Sequence, residues 1–141
     1  MSTTMNCRRS ANEKSVDELQ ADTLRWDSLL QIDTEEIHFL KQFLTSDIYQ
    51  DSIPNLFERL QEFYDEVEER KAEKIELHEE LHNHKNDLNG MMECEDISCE
   101  SFYHSQHQKL SIRLEKHIEK MQDLKLRILR FTTPLLKRNS N

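Results

Sequence analysis

Apolar residues repeat every seven positions along the stretch that ends at Gly90. The repeating position holds Ile53, Leu60, Val67, Leu81 and Leu88, with Lys74 as its one polar member, and Phe57 and Tyr64 fill positions between them. This spacing places one apolar stripe along an α-helix. Pro54 suits a first helical turn, and Gly90, the only glycine of the chain, suits a left-handed turn that ends a helix. We therefore predict a helix over residues 53–89.

A second stripe precedes this helix. It holds Leu19, Trp26 and Leu40 at one heptad position and Thr23, Leu30, Ile37 and Leu44 at the next. Ser15 and Glu18 have the spacing of a capping box, in which two side chains satisfy free amides of the first turn. The pattern predicts one helix over residues 15–49. Asp33 falls on the stripe and has capping-box spacing to Glu36, so a break near Asp33 remains an alternative.

A third stripe follows a short connection. Its residues are Tyr103, Leu110, Leu124 and Phe131, interleaved with Leu114, Met121, Ile128 and Leu135. His107 and His117 occupy the remaining core positions of this stripe. Pro134 lacks an amide hydrogen and clashes with the preceding turn, so it ends or kinks the helix. We predict this helix over residues 99–133.

Three long helices with short connections predict an all-α fold. We expect an elongated, coiled-coil-like, antiparallel three-helix bundle with up-down-up topology over residues 15–136. The polar residues 1–14 are expected to be a disordered tail, and 137–141 a polar C-terminal tail. One glycine and two prolines in 141 residues agree with this fold, because a compact α/β domain needs more turn residues.

Charge limits the classes of partner. The net charge of -9 disfavours free nucleic acid and anionic membrane as partners. The charge is also divided: residues 58–80 contain ten acidic and four basic residues, whereas 109–138 contain nine basic and three acidic ones. We expect these opposite charges to pair the second and third helices. Polar residues at core positions, such as Asp33 and His117, are expected to fix the register of the helices.

The sequence HEELH at residues 78–82 matches the H-E-x-x-H motif of zinc peptidases. Histidines four residues apart lie on one helix face and can bind one ion, and the glutamate can activate a water molecule. The context disfavours a peptidase, because no H-x-x-G-x-x-H follows and no sheet is predicted to hold a peptide. We therefore predict no catalytic residues, and no enzyme.

A metal site without catalysis is the alternative function. The candidate ligands are His78, His82, His104 and His107, with Cys94 and Cys99 in the second connection. Folding the second helix against the third brings these histidines to similar heights, and helical bundles build metal sites from facing side chains. The segment HNHKN at 82–86 is instead typical of a solvent-facing surface. The prediction is therefore no bound metal and no cofactor.

The cysteine pattern leaves three alternatives open. Cys94 and Cys99 have C-x4-C spacing, unlike the C-x2-C of zinc knuckles. They could form a zinc clasp with His104 and His107, a disulfide, or two inert thiols. An odd count of three cysteines, with no apolar leader, favours a soluble cytoplasmic protein with mostly reduced thiols.

These observations predict a structural or protein-interaction module, a scaffold or adaptor. Its partner is another protein or a second copy of the chain, with no nucleic acid and no membrane. No family resemblance is evident in the sequence.

Overall fold

The computed structural model describes residues 14–138. It contains three α-helices: α1 over Val16–Leu44, α2 over Leu56–Met91 and α3 over Ile97–Thr132. A 3-10 turn over Thr133–Leu135 follows α3. Helices account for 83% of the described residues, against about a third in an ordinary globular protein. No strand occurs within residues 14–138, so the predicted all-α three-helix bundle is confirmed.

Backbone contacts divide the described chain into two compact units, and each helix contributes a segment to both. The first unit comprises residues 14–30 and 76–114, and the second comprises 31–75 and 115–138.

Side-chain pairs in the second unit establish the direction of the helices. Between α1 and α2, Lys74 bonds to Thr34 and Lys41 to Glu68, so residue numbers run in opposite directions. Between α2 and α3, Glu73 pairs with Lys120 and Glu66 with Arg127, again in opposite directions. The topology of this unit is therefore up-down-up, as predicted.

Each unit has its own apolar core, formed by residues spaced three and four apart on each helix. In the first unit the core consists of two clusters, one of Trp26, Leu30, Leu77, Leu81, Leu110 and Leu114 and the other of Leu19, Leu88 and Met91. In the second it contains Ile37, Leu40, Leu44, Tyr49, Leu60, Phe63, Val67, Met121, Leu124 and Ile128. Most of the predicted stripe residues are therefore buried. Phe57 is the clearest exception, because 84% of its surface is exposed.

The beginning of α1 matches the predicted capping box. The Glu18 amide donates to Ser15 Oγ at 3.2 Å, and the Ser15 amide donates to Glu18 Oε1 at 3.1 Å. The helix then runs without a break to Leu44, so the alternative of a break near Asp33 is wrong. Asp33 is accommodated on the stripe because a histidine of α3 bonds to it.

α1 ends at Leu44 rather than near residue 49. The hydroxyls of Thr45 and Ser46 donate to carbonyls of the last turn, at Lys41 and Phe43. Tyr49 then turns inward, and its hydroxyl donates to the Phe43 carbonyl at 2.8 Å. Side-chain bonds of this kind compete with continued helix formation.

The residues after Tyr49 pair with the chain end. The Gln50 amide donates to the Leu135 carbonyl, and the Lys137 amide donates to the Ile48 carbonyl, both at 2.7 Å. These bonds flank a single antiparallel bridge between Tyr49 and Leu136. The connection between α1 and α2 is therefore an ordered part of the second unit.

α2 begins at Leu56, three residues later than predicted. In the segment that precedes α2, Ser52 and Asn55 have positive φ angles of 69° and 59°. This backbone region disfavours residues other than glycine, so a helix cannot include them. Pro54 consequently precedes the helix instead of lying in its first turn.

Gly90 lies inside α2 and has no positive φ angle, so the predicted left-handed turn is wrong. A Cβ atom at this position would lie 2.8 Å from the hydroxyl oxygen of Tyr103 in α3. Close packing of the tyrosine against the α2 backbone therefore accounts for this glycine.

α3 begins at Ile97, where Asp96 Oδ1 accepts a hydrogen bond from the Cys99 amide at 2.8 Å. This is the ordinary role of aspartate before a first helical turn. α3 ends at Thr132, beside the predicted terminator Pro134. None of the helices within residues 14–138 has a stretch long and apolar enough to cross a membrane.

The predicted disordered tail, residues 1–14, lies outside the described residues except for Lys14, whose ammonium group contacts Asp22. Residues 139–141 of the predicted C-terminal tail also lie outside them.

Candidate functional site

Two groups of polar side chains lie in the apolar cores, and all their members are buried except Glu73, which is half-buried. In the first unit, Asp22 of α1, His84 of α2 and His107 of α3 form what we name the His107 layer. In the second unit, Asp33 of α1, Glu73 of α2 and His117 of α3 form the His117 layer. Both histidines lie on the regular three-and-four spacing of α3, so the prediction that they occupy core positions is confirmed.

The His107 layer forms a chain of hydrogen bonds. His107 Nε2 lies 2.9 Å from Asp22 Oδ2, and His107 Nδ1 lies 2.8 Å from His84 Nε2. A carboxylate only accepts, so His107 donates to Asp22 from Nε2. The nitrogen that remains on His107 then accepts from His84. This assignment keeps both imidazoles neutral, and Trp26 stacks on the His107 ring at 4.5 Å.

Burial determines the charge of this pair. Desolvation, together with the nearby His107, lowers the pKa of His84 from 6.5 to about 4, against a smaller opposing effect of Asp87. Desolvation also lowers the pKa of His107, and it outweighs the hydrogen bond to Asp22 that raises it. For Asp22, burial opposes ionisation, but hydrogen bonds from Lys14, His107 and Arg25 prevail and lower its pKa to about 2.

The His117 layer has carboxylates on both sides of the ring. His117 Nε2 lies 2.7 Å from Asp33 Oδ2, and His117 Nδ1 lies 2.7 Å from Glu73 Oε1. A neutral imidazole has one hydrogen to donate, so two ionised carboxylates require the imidazolium form. His117 is fully buried, and Asp33 is 5% exposed.

The charges of this layer support one another. Burial disfavours a charged imidazole, but the hydrogen bonds to Asp33 and Glu73 outweigh it and raise the pKa of His117. For Glu73, burial opposes ionisation, but the His117 hydrogen bond and the charges of Arg70 and Lys120 lower the pKa. The layer is therefore a buried ion triad with partly exposed outer charges.

The second unit also contains a pocket of about 530 Å³ beneath the connection between α1 and α2. Its apolar and aromatic wall is formed by Leu44, Tyr49, Leu56, Phe57, Leu60 and Tyr64. Asp47, Asp51 and Lys137 add charge to the lining. Ligand pockets commonly fall in this range of volume and have this mainly apolar character.

The structure does not gather the predicted metal ligands. His78 and His82 are exposed on α2, His104 is half-buried, and His107 is buried against Asp22 and His84. Among the residues that the structure describes, no group of three or more His, Cys, Asp or Glu side chains could hold a metal ion.

The HEELH segment lies on the outer face of α2. Glu79 and Glu80 are exposed like the two histidines, and Glu80 forms an ion pair with Arg113 of α3. The expectation that this segment is not a peptidase site stays a prediction.

Cys94 and Cys99 are joined by a disulfide, with Cα atoms 5.5 Å apart. Of the three alternatives for this pair, the structure has the disulfide. Bonded sulfurs are not thiolates, so they are not metal ligands in this state. The bond also runs against the expectation of reduced thiols, and the cytoplasmic location stays a prediction.

Sequence reasoning missed three members of the two layers: Asp22, His84 and Glu73. The spacing contained a signal for His84, which lies three residues after Leu81 and four before Leu88, both fully buried. The polar surroundings HNHKN suggested a solvent-facing segment, yet His84 is 6% exposed. Asp22 has the same spacing from Leu19 and Trp26. In both cases the helical period was the better guide than local polarity.

Charge pairs join α2 and α3 as predicted. Glu80 pairs with Arg113 in the first unit, and Glu66 and Glu73 pair with Arg127 and Lys120 in the second. The bidentate contact of Arg127 with Glu66, at 2.8 and 2.9 Å, is the geometry that favours arginine over lysine.

Comparisons with known proteins add no identity. The chain matches no protein-family model, no curated protein and no solved structure. The class that the fold defines is therefore an all-α three-helix bundle, and its function rests on the residues described above.

Proposed function

We propose that this protein is a helical protein-interaction module, structural or adaptor in role, and not an enzyme. The observation that supports the proposal is the pocket of the second unit with Phe57 in its wall, 84% exposed. Burying a phenylalanine side chain contributes about 1.5–3 kcal/mol, so this ring is a source of binding free energy that the fold leaves unused. Aromatic residues are enriched at the centres of protein interfaces.

The lining of the pocket suggests the chemistry of its occupant. The wall offers apolar surface from Leu56 and Phe57, and the acidic side chains Asp47 and Asp51 lie on the same lining. An apolar side chain beside a lysine or arginine, on a segment of a partner protein, complements both features. Lys137, which also lines the pocket, partly offsets the acidic charge.

The order of the connection supports tight binding. Tyr49 is buried and bonded to Phe43, and Gln50 is paired with Leu135, so this wall is held before a partner arrives. A preformed site loses less conformational freedom on binding than a mobile one.

The experiment compares two matched truncations in the second unit. Phe57→Ala removes the exposed ring at the pocket, and Phe39→Ala removes a 58% exposed ring of α1 that does not line it. Quantitative pull-downs with the wild type and both variants identify proteins that depend on Phe57 alone. Binding of each such protein, purified, is then measured by calorimetry.

We expect affinity to fall at least tenfold for Phe57→Ala and to change less than twofold for Phe39→Ala. Asp47→Asn with Asp51→Asn should weaken binding less, and the loss should shrink at high salt. Equal retention of every partner by the wild type and Phe57→Ala would contradict the pocket as the binding site. A chain that also shows no self-association in sedimentation would contradict the interaction role itself.

A further inference from the structure

The His107 layer holds two buried histidine rings in direct contact. The two rings are buried and their nitrogens lie 2.8 Å apart, a distance that needs one hydrogen between them. A proton added to His107 Nδ1 would place two hydrogens in that space and end the bond. A proton added to His84 would instead create a buried cation.

The surroundings offer that cation little compensation. From α1, Asp22 already bonds to Lys14 and Arg25 as well as His107. From α2, the exposed carboxylates Glu80 and Asp87 line the same pocket as His84, and the charge of Asp87 favours its protonation; from α3, Lys109 and Arg113 line that pocket and oppose it. From α3, the charge of His104 acts against protonation of His107. Unpaired charge in an apolar core is strongly unfavourable.

The His117 layer has the opposite requirement. From α1 it receives Asp33, from α2 Glu73 with Arg70 beside it, and from α3 Lys120 on the outer side of Glu73. The imidazolium is the form that satisfies both carboxylates. Mild acid therefore leaves this layer intact.

We propose that the protein is a pH-responsive bundle, in which mild acid opens the first unit through the His84–His107 pair while the His117 layer keeps the second unit closed. The response is regulatory: it alters the accessible surface of one unit without unfolding the other. It goes beyond the proposed interaction role, because it lies in the first unit and does not depend on the pocket.

The sign of the effect follows from linkage. The folded pKa of His84, about 4, is below its ordinary value of 6.5, so the open chain binds more protons between these values. The stability that His84 contributes is fully present above about pH 6.5 and is lost as pH falls towards 4. At pH 5 this difference lowers the ratio of closed to open first unit by about 30-fold.

Hydrogen exchange of the full chain, followed by mass spectrometry and corrected for intrinsic exchange rates, tests the proposal. Between pH 7.5 and 5.0 we expect protection to fall about 30-fold in residues 16–30, 76–91 and 97–114. Protection in residues 31–44, 56–75 and 115–132 should change less than threefold. Equal loss in both units, or no loss in the first, would overturn the proposal.

Matched variants of α2 assign the effect to the pair. His84→Gln places an amide nitrogen near the position of Nε2 and does not titrate, so most of the acid response should disappear. His82→Gln changes an exposed histidine two residues away and should keep the full response. An unchanged response in His84→Gln would overturn the assignment.

Nuclear magnetic resonance titration of the histidine rings in the wild-type chain serves if His84→Gln does not fold. His84 and His107 should titrate below pH 6.5 and His117 above it. The reverse order would overturn the proposal.

Discussion

Each of the two units places an aspartate and a histidine in its core, but the histidine is neutral in the first unit and positively charged in the second. In each, an aspartate of α1 contacts a histidine of α3, at 2.9 Å in the first unit and 2.7 Å in the second. The difference lies in the third group, which α2 supplies. His84 requires His107 to accept a hydrogen bond, whereas Glu73 requires His117 to donate one.

This comparison teaches that an aspartate–histidine contact alone does not determine protonation. Asp22 is also bonded to Lys14 and Arg25, so its charge is already compensated when His107 stays neutral. In the His117 layer, the imidazolium itself compensates Asp33. The charge of a buried histidine therefore depends on two further groups: the one bonded to its second ring nitrogen, and the other partners of its aspartate.

The largest expected effect is a difference in stability loss between alanine variants of Asp33 and Asp22. Asp33→Ala leaves the His117 imidazolium with one carboxylate and should lower the free energy of unfolding by about 3–5 kcal/mol, as for a broken buried ion pair. Asp22→Ala leaves a neutral donor unpaired and should cost about 1–3 kcal/mol. Urea unfolding at pH 7 measures both. An equal or larger loss for Asp22→Ala would mean that the two layers do not differ in charge.

Exchanging the third group tests the comparison directly. His84→Glu supplies a carboxylate beside His107, so the pKa of His107 should rise above 6.5 and the first unit should gain stability in mild acid. Glu73→Gln removes a carboxylate beside His117, so the pKa of His117 should fall. Each unit of pKa corresponds to about 1.4 kcal/mol of stability.

The dependence of stability on pH has opposite directions in the two units. The raised pKa of His117 gives stability that is fully present below about pH 6.5 and is lost as pH rises through the folded value. Glu73→Gln should therefore shift that loss to lower pH. Ring titrations and stability profiles from pH 4.5 to 9 check both variants. Unchanged pKa values would show that α2 does not set the protonation of the layers.

The sequence predicted which polar residues lie in the core better than it predicted their hydrogen-bond partners. The heptad stripes placed His107 and His117 in the core and assigned Asp33 a register role, because burial follows helical period. The partners could not be read in the same way. Whether His117 contacts Glu73 depends on rotamers and on the relative rotation of α2 and α3, which no single helix encodes.

The remaining errors concern the two ends of α2. Phe57 was assigned to the stripe of α2 but is exposed, because its neighbour Leu56 occupies the core side of the first helical turn. Gly90 was assigned to a helix end, yet its role is to admit Tyr103 from another helix. Close approaches of this kind are tertiary events and leave no periodic signal in the sequence.

Smaller effects are expected from the surface charges beside each layer. Arg25 contacts Asp22 at 2.8 Å, and Lys120 contacts Glu73 at 3.4 Å, with both basic side chains more than half exposed. Arg25→Gln should cost about 0.5–1 kcal/mol and Lys120→Gln about 0.2–0.5 kcal/mol, because exposed pairs are screened by solvent. Both losses should shrink between 0.05 and about 0.5 M salt. A loss of unfolding free energy that did not change with salt concentration would indicate that packing, and not charge, is responsible.

The smallest expected effect concerns the exposed histidines of α2. His78→Gln with His82→Gln should leave the melting temperature nearly unchanged, because neither side chain is buried. We also expect added zinc not to raise the melting temperature, since the described residues contain no group of three suitable ligands. A ligand that binds only the folded state stabilises it with the logarithm of its concentration, so calorimetry over a range of zinc concentrations is a sensitive test.

If zinc did raise the melting temperature in a saturable way, the variants would show whether it binds the exposed histidines of α2 or the buried His84. If the double variant His78→Gln with His82→Gln abolished the zinc effect, the two exposed histidines would be the metal site. If His84→Gln abolished it instead, zinc would be competing with the proton between His84 and His107. In that case the zinc effect should persist below pH 6, because the lowered pKa of His84, about 4, keeps its imidazole neutral there, and it should be lost only as the pH approaches 4.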